Sequence, residues 1–433
     1  MAEARPARIE PEREGPLSGI RVLDLSRVVA GNALGLELAD FGAEVIKVEP
    51  PGGDPLRDWQ VKGHSLYWKE LSRNKLSVVL DLRKPEGMAA LERLIPTADV
   101  MIENFRPGVL EEMGLAPDRL LAMVPDLILV RISGFGQTGP ASRLPGFGTL
   151  VEAMSGFASR NGFADREPVL PPLALADMIA GLHGAKAVLA ALRARDRGMA
   201  RGQVIDLSLL EAMYSVLGPE AGSWAVTGQV KERTGSASGN SAPRNVYRTR
   251  DGRWIAMSGS TDRMAKRILL LVGGDALARD PRFATNADRV RNRAALDAVI
   301  GEWIGARDRD TALSIFRAEG ITVGPVHDIA DFMADDHVIE REVVVSIPDP
   351  DLGPLPVHNV LPRLSATPGA IRRLAPEPGA DTEDVLRRAG FSAEEIASLR
   401  EAGGAGVMMA SNPKSGLPFR VPPPAAGGGT QRG

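Results

Sequence analysis

The sequence predicts an α/β protein with an open parallel sheet, because two kinds of segment alternate along its N-terminal third. The helical kind has apolar residues at helix period and occurs at 32–42, 85–95 and 109–124, with Pro85 at a first helical position and Gly42 at a C-terminal cap. The other kind is short and almost continuously apolar, as in parallel strands covered on both faces. These runs are IRVLDL (20–25), EVIKVE (44–49), LSVVLDL (76–82), ADVMIEN (98–104) and LILVRISGF (127–135). Their alternation favours a doubly wound sheet.

The remaining chain predicts a continuation of this sheet and a second, smaller unit. A long helix is expected from Asp177 to Gly198, followed by a strand at 202–208 and an apolar helix. The Gly/Ser-rich stretch 228–243 is typical of a mobile loop, and a hairpin turning at Asp251-Gly252 then opens the second unit. Further elements are expected as helices at 262–318, Pro-interrupted strands at 340–365 and a helical pair at 381–402. Residues 1–16 are charged and Pro-rich and are expected to form a disordered arm, and the tail 403–433 has the composition of disorder.

Composition narrows the classes of function. The chain has 433 residues, of which 44% are hydrophobic and 25% charged, with a formal net charge of −3. It has no long basic run, so nucleic acid is not expected as a partner. No cysteine is present, which removes disulfides, thiolate metal sites and a cysteine nucleophile. We see neither a signal peptide nor an uninterrupted apolar stretch of membrane-spanning length, so the expectation is a cytoplasmic protein without a membrane partner.

Short motifs for common cofactors are missing or weak. The turn after the first predicted strand reads SRVVAGNALG and lacks the GxGxxG of a dinucleotide site, although a helix start at Gly31-Asn32 offers free N–H groups to an anion. The segment GFGQTGP (134–140) lacks the ending of a phosphate loop, and SRNK (72–75) precedes a strand rather than a helix. The five histidines are scattered without paired spacing, which argues against a metal centre.

Polar residues follow nearly every predicted strand. Since ligands of open α/β sheets bind beyond the carboxyl ends of the strands, this edge is the candidate site. Basic residues near it could face an anionic ligand or could equally be solvated surface charges; they are Arg57, Arg73, Lys75, Arg83 and Arg106.

One acidic residue stands apart from its surroundings. In PLALADMIAGLHGA (172–185) the only charged side chain that is not histidine is Asp177, at the predicted start of the long helix. A carboxylate at this place can cap the free N–H groups of a first turn, or it can be a nucleophile kept away from water. The residues by themselves leave both interpretations open.

A run of ordered phrases makes the chain resemble a known family. They are LSGIRVLDLSRVVAG, LADFGAEVIKVEPPGGDPLRDW, NKLSVVLDLRKPEG, ADVMIENFRPGVLEEMGL, ISGFGQTGP, GQVIDLSLLEA and GITVGPV. Together they are similar to the class III coenzyme A transferases, the family of formyl-CoA transferase and carnitine CoA-transferase, over Leu17 to Leu399. The resemblance implies an interlocked homodimer of Rossmann-like chains, each with an inserted smaller domain. The domains expected are a large one at 17–225, a small α+β one at 226–335 and a return to the large one at 336–402.

The resemblance also implies site residues. Asp177 stands at the position of the family's catalytic aspartate, which forms an anhydride and then a thioester with CoA. Gly235 and Gly239 fall in the glycine-rich loop that covers this site in relatives. The residues matching the CoA channel are Val29, Ala30, Leu80, Arg83, Asn104, Phe105 and Arg106. No metal and no permanently bound cofactor are implied, since an acyl-CoA thioester, such as succinyl-CoA, and a carboxylic acid are the substrates.

Several positions depart from the best-known members. Val29 replaces a common Gln, Pro50 replaces an Arg of one branch, the GYD phrase reads GFG (146–148), and a following Gln is Glu152. These departures surround the acyl pocket, so a formyl or oxalyl substrate does not carry over. The α-methylacyl-CoA racemases share this family's aspartate but use a histidine where this chain has Phe147. Racemisation therefore remains the second hypothesis and a non-catalytic CoA-binding protein the third.

Overall fold

A computed structural model describes residues 4–406 of the chain. Three sheets occur in this range, one of six strands and two of three strands. The strands are β1 Arg5–Pro6, β2 Arg21–Asp24, β3 Glu44–Glu49, β4 Lys75–Val79, β5 Val100–Glu103, β6 Ile128–Ser133, β7 Gln203–Ser208, β8 Arg244–Arg248, β9 Trp254–Ser258, β10 Val323–Pro325, β11 Val344–Asp349 and β12 Gly353–His358.

Helices connect these strands. They are α1 Ala30–Asp40, α2 Leu66–Leu71, α3 Pro85–Leu94, α4 Val109–Glu112, α5 Pro117–Met123, α6 Gly148–Met154, α7 Phe157–Arg160, α8 Leu175–Asp196, α9 Leu209–Ser215, α10 Glu220–Thr227, α11 Asp262–Ala278, α12 Asn286–Arg291, α13 Arg293–Gly305, α14 Arg309–Ala318, α15 Ile329–Met333, α16 Asp336–Glu340, α17 Thr382–Arg388 and α18 Ala393–Glu401. Short 3₁₀ helices lie at Pro55–Asp58, Ile95–Thr97 and Pro281–Phe283.

The six-stranded sheet confirms the predicted parallel α/β architecture. Its strand order is β4-β3-β2-β5-β6-β7, and every neighbouring pair is parallel. The order reverses between β2 and β5, the switch point beside which open α/β sheets bind their ligands. The turn after β2 and the turn after β5 therefore meet at one edge of the sheet.

Helices cover both faces of this sheet, which explains why its strands are almost continuously apolar. On one face Val22 packs with Leu34 of α1 and Val188 of α8. On the other face Leu23 packs with Leu91 of α3 and Leu386 of α17. Successive residues of one strand thus enter different cores, and the C-terminal helices complete the second core.

Helix α8 packs closely against α1 through glycine. A methyl group added at Gly181 would lie 2.8 Å from Cβ of Ala33, and one at Gly184 would lie 2.3 Å from Cδ1 of Leu34. Within residues 4–406, α8 is the one helix long and apolar enough to cross a membrane by length and composition alone, which the sequence expectation did not anticipate. Its small-residue face is instead buried against α1.

The smaller sheets are built mainly from strands of the C-terminal half of the chain. Strands β8 and β9 form the predicted hairpin, with Gly252 in its turn at φ +80°, and β10 joins them antiparallel. Helices α11, α13 and α14 pack on this sheet around a separate core that includes Ile255, Ile300 and Phe316. Strands β11 and β12 pair antiparallel, as expected of the Pro-interrupted strands.

Three sequence expectations differ from the structure. The predicted helix at 109–124 is two short helices, because Gly114 between them has φ +76°. The N-terminal segment, expected to be disordered, contains β1, whose Arg5 and Pro6 pair in parallel with β11. The predicted disordered tail lies outside the described residues from 407 onward, and at its start Ala405 bridges to Leu80.

Candidate active site

The turn between β2 and α1 is held in an unusual conformation. Val28 has φ +64°, which a β-branched residue seldom adopts and which costs about 1–3 kcal/mol. The carboxylate of Asp54 accepts the N–H of Val28 at 3.0 Å. Asn104, after β5, accepts the N–H of Arg27 at 2.7 Å and donates to its carbonyl oxygen at 2.8 Å. These contacts fix the start of α1 at the switch point of the sheet.

Asp177 lies beside the start of α1. It is the third residue of α8 and is half-buried, so the helix begins two residues earlier than predicted. The N-cap residue is Ala174, and it makes no side-chain capping bond. The interpretation of Asp177 as the helix cap is therefore wrong, and its carboxylate is left available for another role.

The carboxyl group of Asp177 fits against a glycine of α6. A methyl group built on Gly148 would lie only 2.4 Å from Oδ2 of Asp177. Only a residue without a side chain leaves room for the carboxylate in this position, because ordinary carbon–oxygen contacts are longer than 3 Å. The departure from GYD to GFG at 146–148 thus changes the residue that lies directly beside the acid.

The surroundings of Asp177 disfavour its ionised form. Burial, followed by repulsion from Glu152, raises the pKa of Asp177 to about 6, while the backbone N–H groups of Asp177 itself and of Ala30 act in the opposite direction. Within residues 4–406 no Lys, Arg or His side chain lies within 4.0 Å of this carboxylate. At neutral pH Asp177 is consequently mostly ionised, but it is a more basic carboxylate than an ordinary aspartate.

Glu152 is a buried acid near Asp177, and in the sequence it stands out only as a departure from relatives. It is 3% exposed, and its Oε1 accepts the backbone N–H of Ala176 at 3.1 Å. The available signal was its position as a lone acid in the apolar segment LVEAM, which is the same signal that singled out Asp177. Gly148 gave no such signal.

The residues predicted to bind CoA all follow the carboxyl ends of strands. Val29 and Ala30 follow β2, Leu80 and Arg83 follow β4, and Asn104, Phe105 and Arg106 follow β5. They differ in exposure: the side chains of Val29, Ala30 and Leu80 are buried, those of Asn104 and Phe105 are half-buried, and those of Arg83 and Arg106 are exposed. The structure thus brings them to the same edge of the sheet, with two guanidinium groups reaching solvent there.

Three of the basic residues expected near this edge do not face a ligand. Arg73 is fully buried and bonded to Asp40, with its NH2 2.6 Å from Oδ2. Lys75 is fully buried beneath α1, where it donates to the carbonyl oxygen of Asn32 at 2.8 Å. Arg57 forms two hydrogen bonds to the buried Glu49, at 2.7 and 2.8 Å. Because buried charges need partners, these side chains stabilise the fold instead.

The glycine-rich loop lies against a segment that follows α7. Gly235 has φ +61°, and its N–H donates to the carbonyl oxygen of Gly162 at 2.8 Å. A methyl group at Gly235 would lie 2.4 Å from Cε1 of Phe163, whereas one at Gly239 would meet nothing within 4 Å. Arg233 reinforces the contact by donating to the carbonyl oxygen of Phe163 at 2.9 Å. The loop also contacts β8 and α13, because the carbonyl oxygens of Ser236 and Ser238 accept from Arg244 and Arg293. None of its hydrogen bonds among the described residues reaches Asp177.

Two further features bear on the alternatives. Phe147, at the position of the racemase histidine, is largely exposed next to α6 and cannot exchange a proton. In the described residues no group of three or more His, Asp or Glu side chains could hold a metal ion.

Comparison with known proteins identifies the family of this site. The model of CoA-transferase family III matches residues 17–382. The chain belongs to CoA-transferase family III and is therefore a CoA-transferase of class III.

Curated relatives cover nearly the whole chain. A succinyl-CoA–D-citramalate CoA-transferase of Chloroflexus aurantiacus is 40% identical over 405 residues, which is 92% of this chain and 99% of the relative. A succinate–glutarate CoA-transferase of Agrobacterium fabrum is 36% identical, over 87% of this chain and 96% of the relative. Among solved structures, a CaiB/BaiF family protein from Brucella suis superposes with a TM-score of 0.77 at 34% identity, covering 87% of this chain and all of that chain.

Proposed function

We propose that this protein transfers CoA from succinyl-CoA to a small carboxylic acid, with Asp177 as the covalent nucleophile. The observation that carries the proposal is the half-buried carboxylate of Asp177, which has no cationic partner among the described residues and has its pKa raised to about 6. A carboxylate of this kind is ionised at neutral pH yet unusually basic, which favours attack on an acyl carbon.

The first half of the reaction moves CoA onto the enzyme. An oxygen of Asp177 attacks the thioester carbonyl, so that an anhydride forms and the thiolate of CoA leaves. The thiolate then attacks the carbonyl carbon of Asp177 and expels the donor acid as its carboxylate. The product is an aspartyl-CoA thioester. The backbone N–H of Ala30, which faces this carboxyl group, is placed to stabilise negative charge on its oxygen.

The second half is the same sequence in reverse. The carboxylate of the acceptor attacks the aspartyl thioester and releases the thiolate, which then attacks the acceptor's acyl carbon. Asp177 leaves as a free carboxylate, so the enzyme is regenerated with no net change of charge. Water must be kept out because it would hydrolyse the anhydride, and the apolar start of α8 around Ala176 and Met178 serves that purpose.

The relatives support the choice of substrates. Their names give succinyl-CoA as the donor with D-citramalate or L-malate as the acceptor, and succinate with glutarate. All of these acids are small dicarboxylates. We therefore assign a dicarboxylate acceptor, while the particular acid is to be found by assaying succinyl-CoA against a panel of carboxylic acids.

Trapping of the intermediate tests the mechanism. Incubation with succinyl-CoA and hydroxylamine should inactivate the enzyme and leave a hydroxamate on Asp177, detectable by mass spectrometry of the peptide that carries it. The matched control is Asp196→Ala, which removes an exposed aspartate from the other end of α8 and should still be trapped. An unmodified Asp177 peptide after full turnover would overturn the covalent mechanism.

A second assay separates transfer from racemisation. A racemase exchanges the Cα proton of a 2-methylacyl-CoA without any acid acceptor, and this exchange needs a second base. Since Phe147 stands at the position of that base, we expect no deuterium incorporation from D₂O. Rapid incorporation without an acceptor would favour the racemase over the transferase.

The remaining site assignments belong to the same proposal. CoA lies at the carboxyl edge of the sheet, against the turn of Val29 and Ala30, the turn of Leu80 and Arg83, and the segment 104–106. The loop of Gly235 and Gly239 closes over the acyl site. The fold divides at 225 and 335 into a large domain, an inserted small domain and a C-terminal return. These assignments rest on the placement of the residues and on the family.

The assembly and its setting complete the proposal. The protein is an interlocked homodimer that works in the cytoplasm, with no nucleic acid, membrane, metal or permanently bound cofactor. Exposed apolar side chains support a partner copy, and those between 147 and 230 include Phe147, Leu150, Met154, Phe163, Leu173, Leu182, Trp224, Val226 and Val230. Sedimentation equilibrium should therefore give twice the chain mass of 46.0 kDa.

A further inference from the structure

Helix α6 forms one wall of the site around Asp177. Gly148 and Glu152 are four residues apart on it and so lie on the same face of the helix. Gly148 leaves the space that Oδ2 of Asp177 occupies. Glu152 contacts the residue just before Asp177 through the N–H of Ala176. One short helix thus leaves space for the carboxylate of Asp177 at Gly148 and, through Glu152, accepts the N–H of the residue before it.

The contact of Glu152 replaces a missing helix cap. The first N–H groups of any helix lack partners inside the helix, and a capping side chain usually supplies one. In α8 the cap position is Ala174, which has no side chain able to do so. Glu152 supplies the acceptor from a different helix, at 3.1 Å from the N–H of Ala176. The direction in which the first turn of α8 points therefore depends on α6.

The charge of Glu152 also acts on the site. Among residues 4–406 it is the one charged side chain that repels the carboxylate of Asp177. Helix α1 contributes the backbone N–H of Ala30, and α8 contributes the N–H of Asp177 itself. Burying two acids near each other without a cation is costly. An uncharged hydrogen-bond acceptor could cap the helix at a lower free-energy cost, so capping alone does not explain why a glutamate stands at position 152.

We infer that Glu152 is a positioning residue of CoA transfer: it anchors the first turn of α8 so that Asp177 fits beside Gly148 and faces the thioester carbon. The inference rests on the proposed covalent role of Asp177. The carboxylate of Glu152 has two separable actions, which are acceptance of a hydrogen bond and repulsion of negative charge. The first orients Asp177, and the second keeps it basic.

Two substitutions separate these actions. Glu152→Gln keeps an acceptor oxygen and removes the charge, so kcat at pH 8 should stay within about threefold while the acid limb of the rate profile moves to lower pH by about half a unit or more. Glu152→Ala removes both actions, so kcat and the rate of hydroxylamine trapping should fall together by about 10- to 100-fold, with KM for succinyl-CoA changed much less. Thermal unfolding of both variants shows that the protein measured is folded.

Glu211→Gln is the matched control, because this exposed acid lies on α9, which also packs against α8. It should leave kcat, trapping and the acid limb unchanged. If Glu152→Ala folds, wild-type kcat, trapping rate and acid limb in that variant would overturn the inference. If it does not fold, an acid limb in Glu152→Gln that stays at its wild-type pH would overturn it. A wild-type enzyme that cannot be trapped at Asp177 speaks against the proposed function instead, so the two failures are distinguishable.

Discussion

Two groups of acidic side chains touch the first turn of α1, and their electrostatic surroundings are opposite. Beneath the helix, Asp24 and Asp54 are fully buried and share Lys47, whose Nζ lies 3.2 Å from Asp24 and 3.0 Å from Asp54. Beside the helix, Asp177 has Glu152 for a charged neighbour and no cation among the described residues within 4.0 Å. The same helix therefore borders one pair of acids whose negative charge is balanced by a lysine and another pair whose negative charge has no nearby cation among the described residues.

The pKa values follow this difference. Burial alone would raise the pKa of Asp54, but Lys47, the N–H of Leu56, Arg27 and the N–H of Val28 hold it below its usual range. Burial raises the pKa of Asp177 in the same way, and Glu152 adds to that rise instead of opposing it. The comparison shows that burial by itself does not set the pKa of a carboxylate. The charges of its neighbours decide whether the pKa falls, as in a structural ion pair, or rises, as is common for reactive acids.

Asp177→Asn should have the largest effect on activity. An amide cannot form the anhydride, so CoA transfer should fall by at least about 10³-fold while the protein stays folded. The measurement is kcat with succinyl-CoA and the best acceptor, beside a circular dichroism spectrum. Asp196→Ala, on the same helix, should retain wild-type kcat. Transfer that survives in freshly purified Asp177→Asn would contradict the assignment.

Lys47→Met should have the largest effect on stability. It removes the shared cation and leaves Asp24 and Asp54 buried without their main partner, which costs about 3–5 kcal/mol of unfolding free energy. Urea unfolding at pH 7 measures this loss. Lys266→Met, at an exposed position of α11, should change the free energy by less than about 0.5 kcal/mol. Equal effects of the two substitutions would show that the cluster is not structural.

Gly148→Ala should impair the chemistry more than the fold. The added methyl group would lie 2.4 Å from Oδ2 of Asp177, so the carboxylate must move, and kcat should fall by about 10- to 100-fold. KM for succinyl-CoA should change much less. The control is Gly222→Ala, whose added methyl group would meet nothing within 4 Å. A wild-type kcat in Gly148→Ala would place the reactive oxygen elsewhere.

The pH dependence of stability should differ in sign between the two clusters. Because the pKa of Asp177 is about 6 in the folded protein and near 3.8 when unfolded, its contribution to stability is present at low pH and lost as the pH rises from 4 to 6. Asp177→Asn should therefore be more stable than wild type at pH 8, by about 1–2 kcal/mol after allowance for partial exposure, and no more stable at pH 4.

Asp54→Asn should behave in the opposite way. The lowered pKa of Asp54 means that its contribution is present at neutral pH and lost as the pH falls through that lowered value. The variant should be less stable than wild type at pH 7, and the difference should shrink on acidification. Thermal unfolding of both Asn variants between about pH 2 and pH 8 tests the pair, because the contribution of Asp54 is lost only below its ordinary pKa of 3.8. Curves of the same sign would contradict the comparison.

Arg83→Gln should have the smallest effect. Its guanidinium is largely exposed and pairs with Asp81 at 2.8 Å, so the pair adds little to stability. If Arg83 meets the phosphates of CoA, KM for succinyl-CoA should rise by about two- to fivefold at low salt, with kcat unchanged. An unchanged KM at low salt would remove Arg83 from the CoA site.

The sequence was informative where local pattern decides structure. The apolar runs at 20–25, 44–49, 76–82, 98–104 and 127–135 each overlap a strand of the six-stranded sheet, because a strand covered on both faces must be apolar almost throughout. The hairpin at Asp251-Gly252 was predictable for a similar reason, since its turn chemistry is local. The lone acid in PLALADMIAGLHGA was likewise visible without coordinates.

What the sequence could not determine depends on contacts between distant segments. From the sequence, Arg73 and Lys75 were candidates for binding an anionic ligand. In the structure both are buried, and they bond instead to Asp40 and to Asn32, which lie in a different segment of the chain. The N-cap residue of α8 is Ala174 and not Asp177. The apolar pattern of the sequence does not locate a helix start to within a few residues. The interpretation of a charge thus depended on partners that lie far away in sequence.

The sequence by itself therefore determined the sheet and the approximate position of its strands, since periodicity and turn signals act over a few residues. It also marked Asp177 as a lone acid in an apolar segment, but it left the role of that acid open. Only the tertiary structure decided which carboxylate is neutralised and which is not. Desolvation and Coulomb forces act through space, and folding places Lys47 beside Asp54 but Glu152 near Asp177. That placement raises the pKa of Asp177, and our proposal that this acid is the nucleophile rests on it.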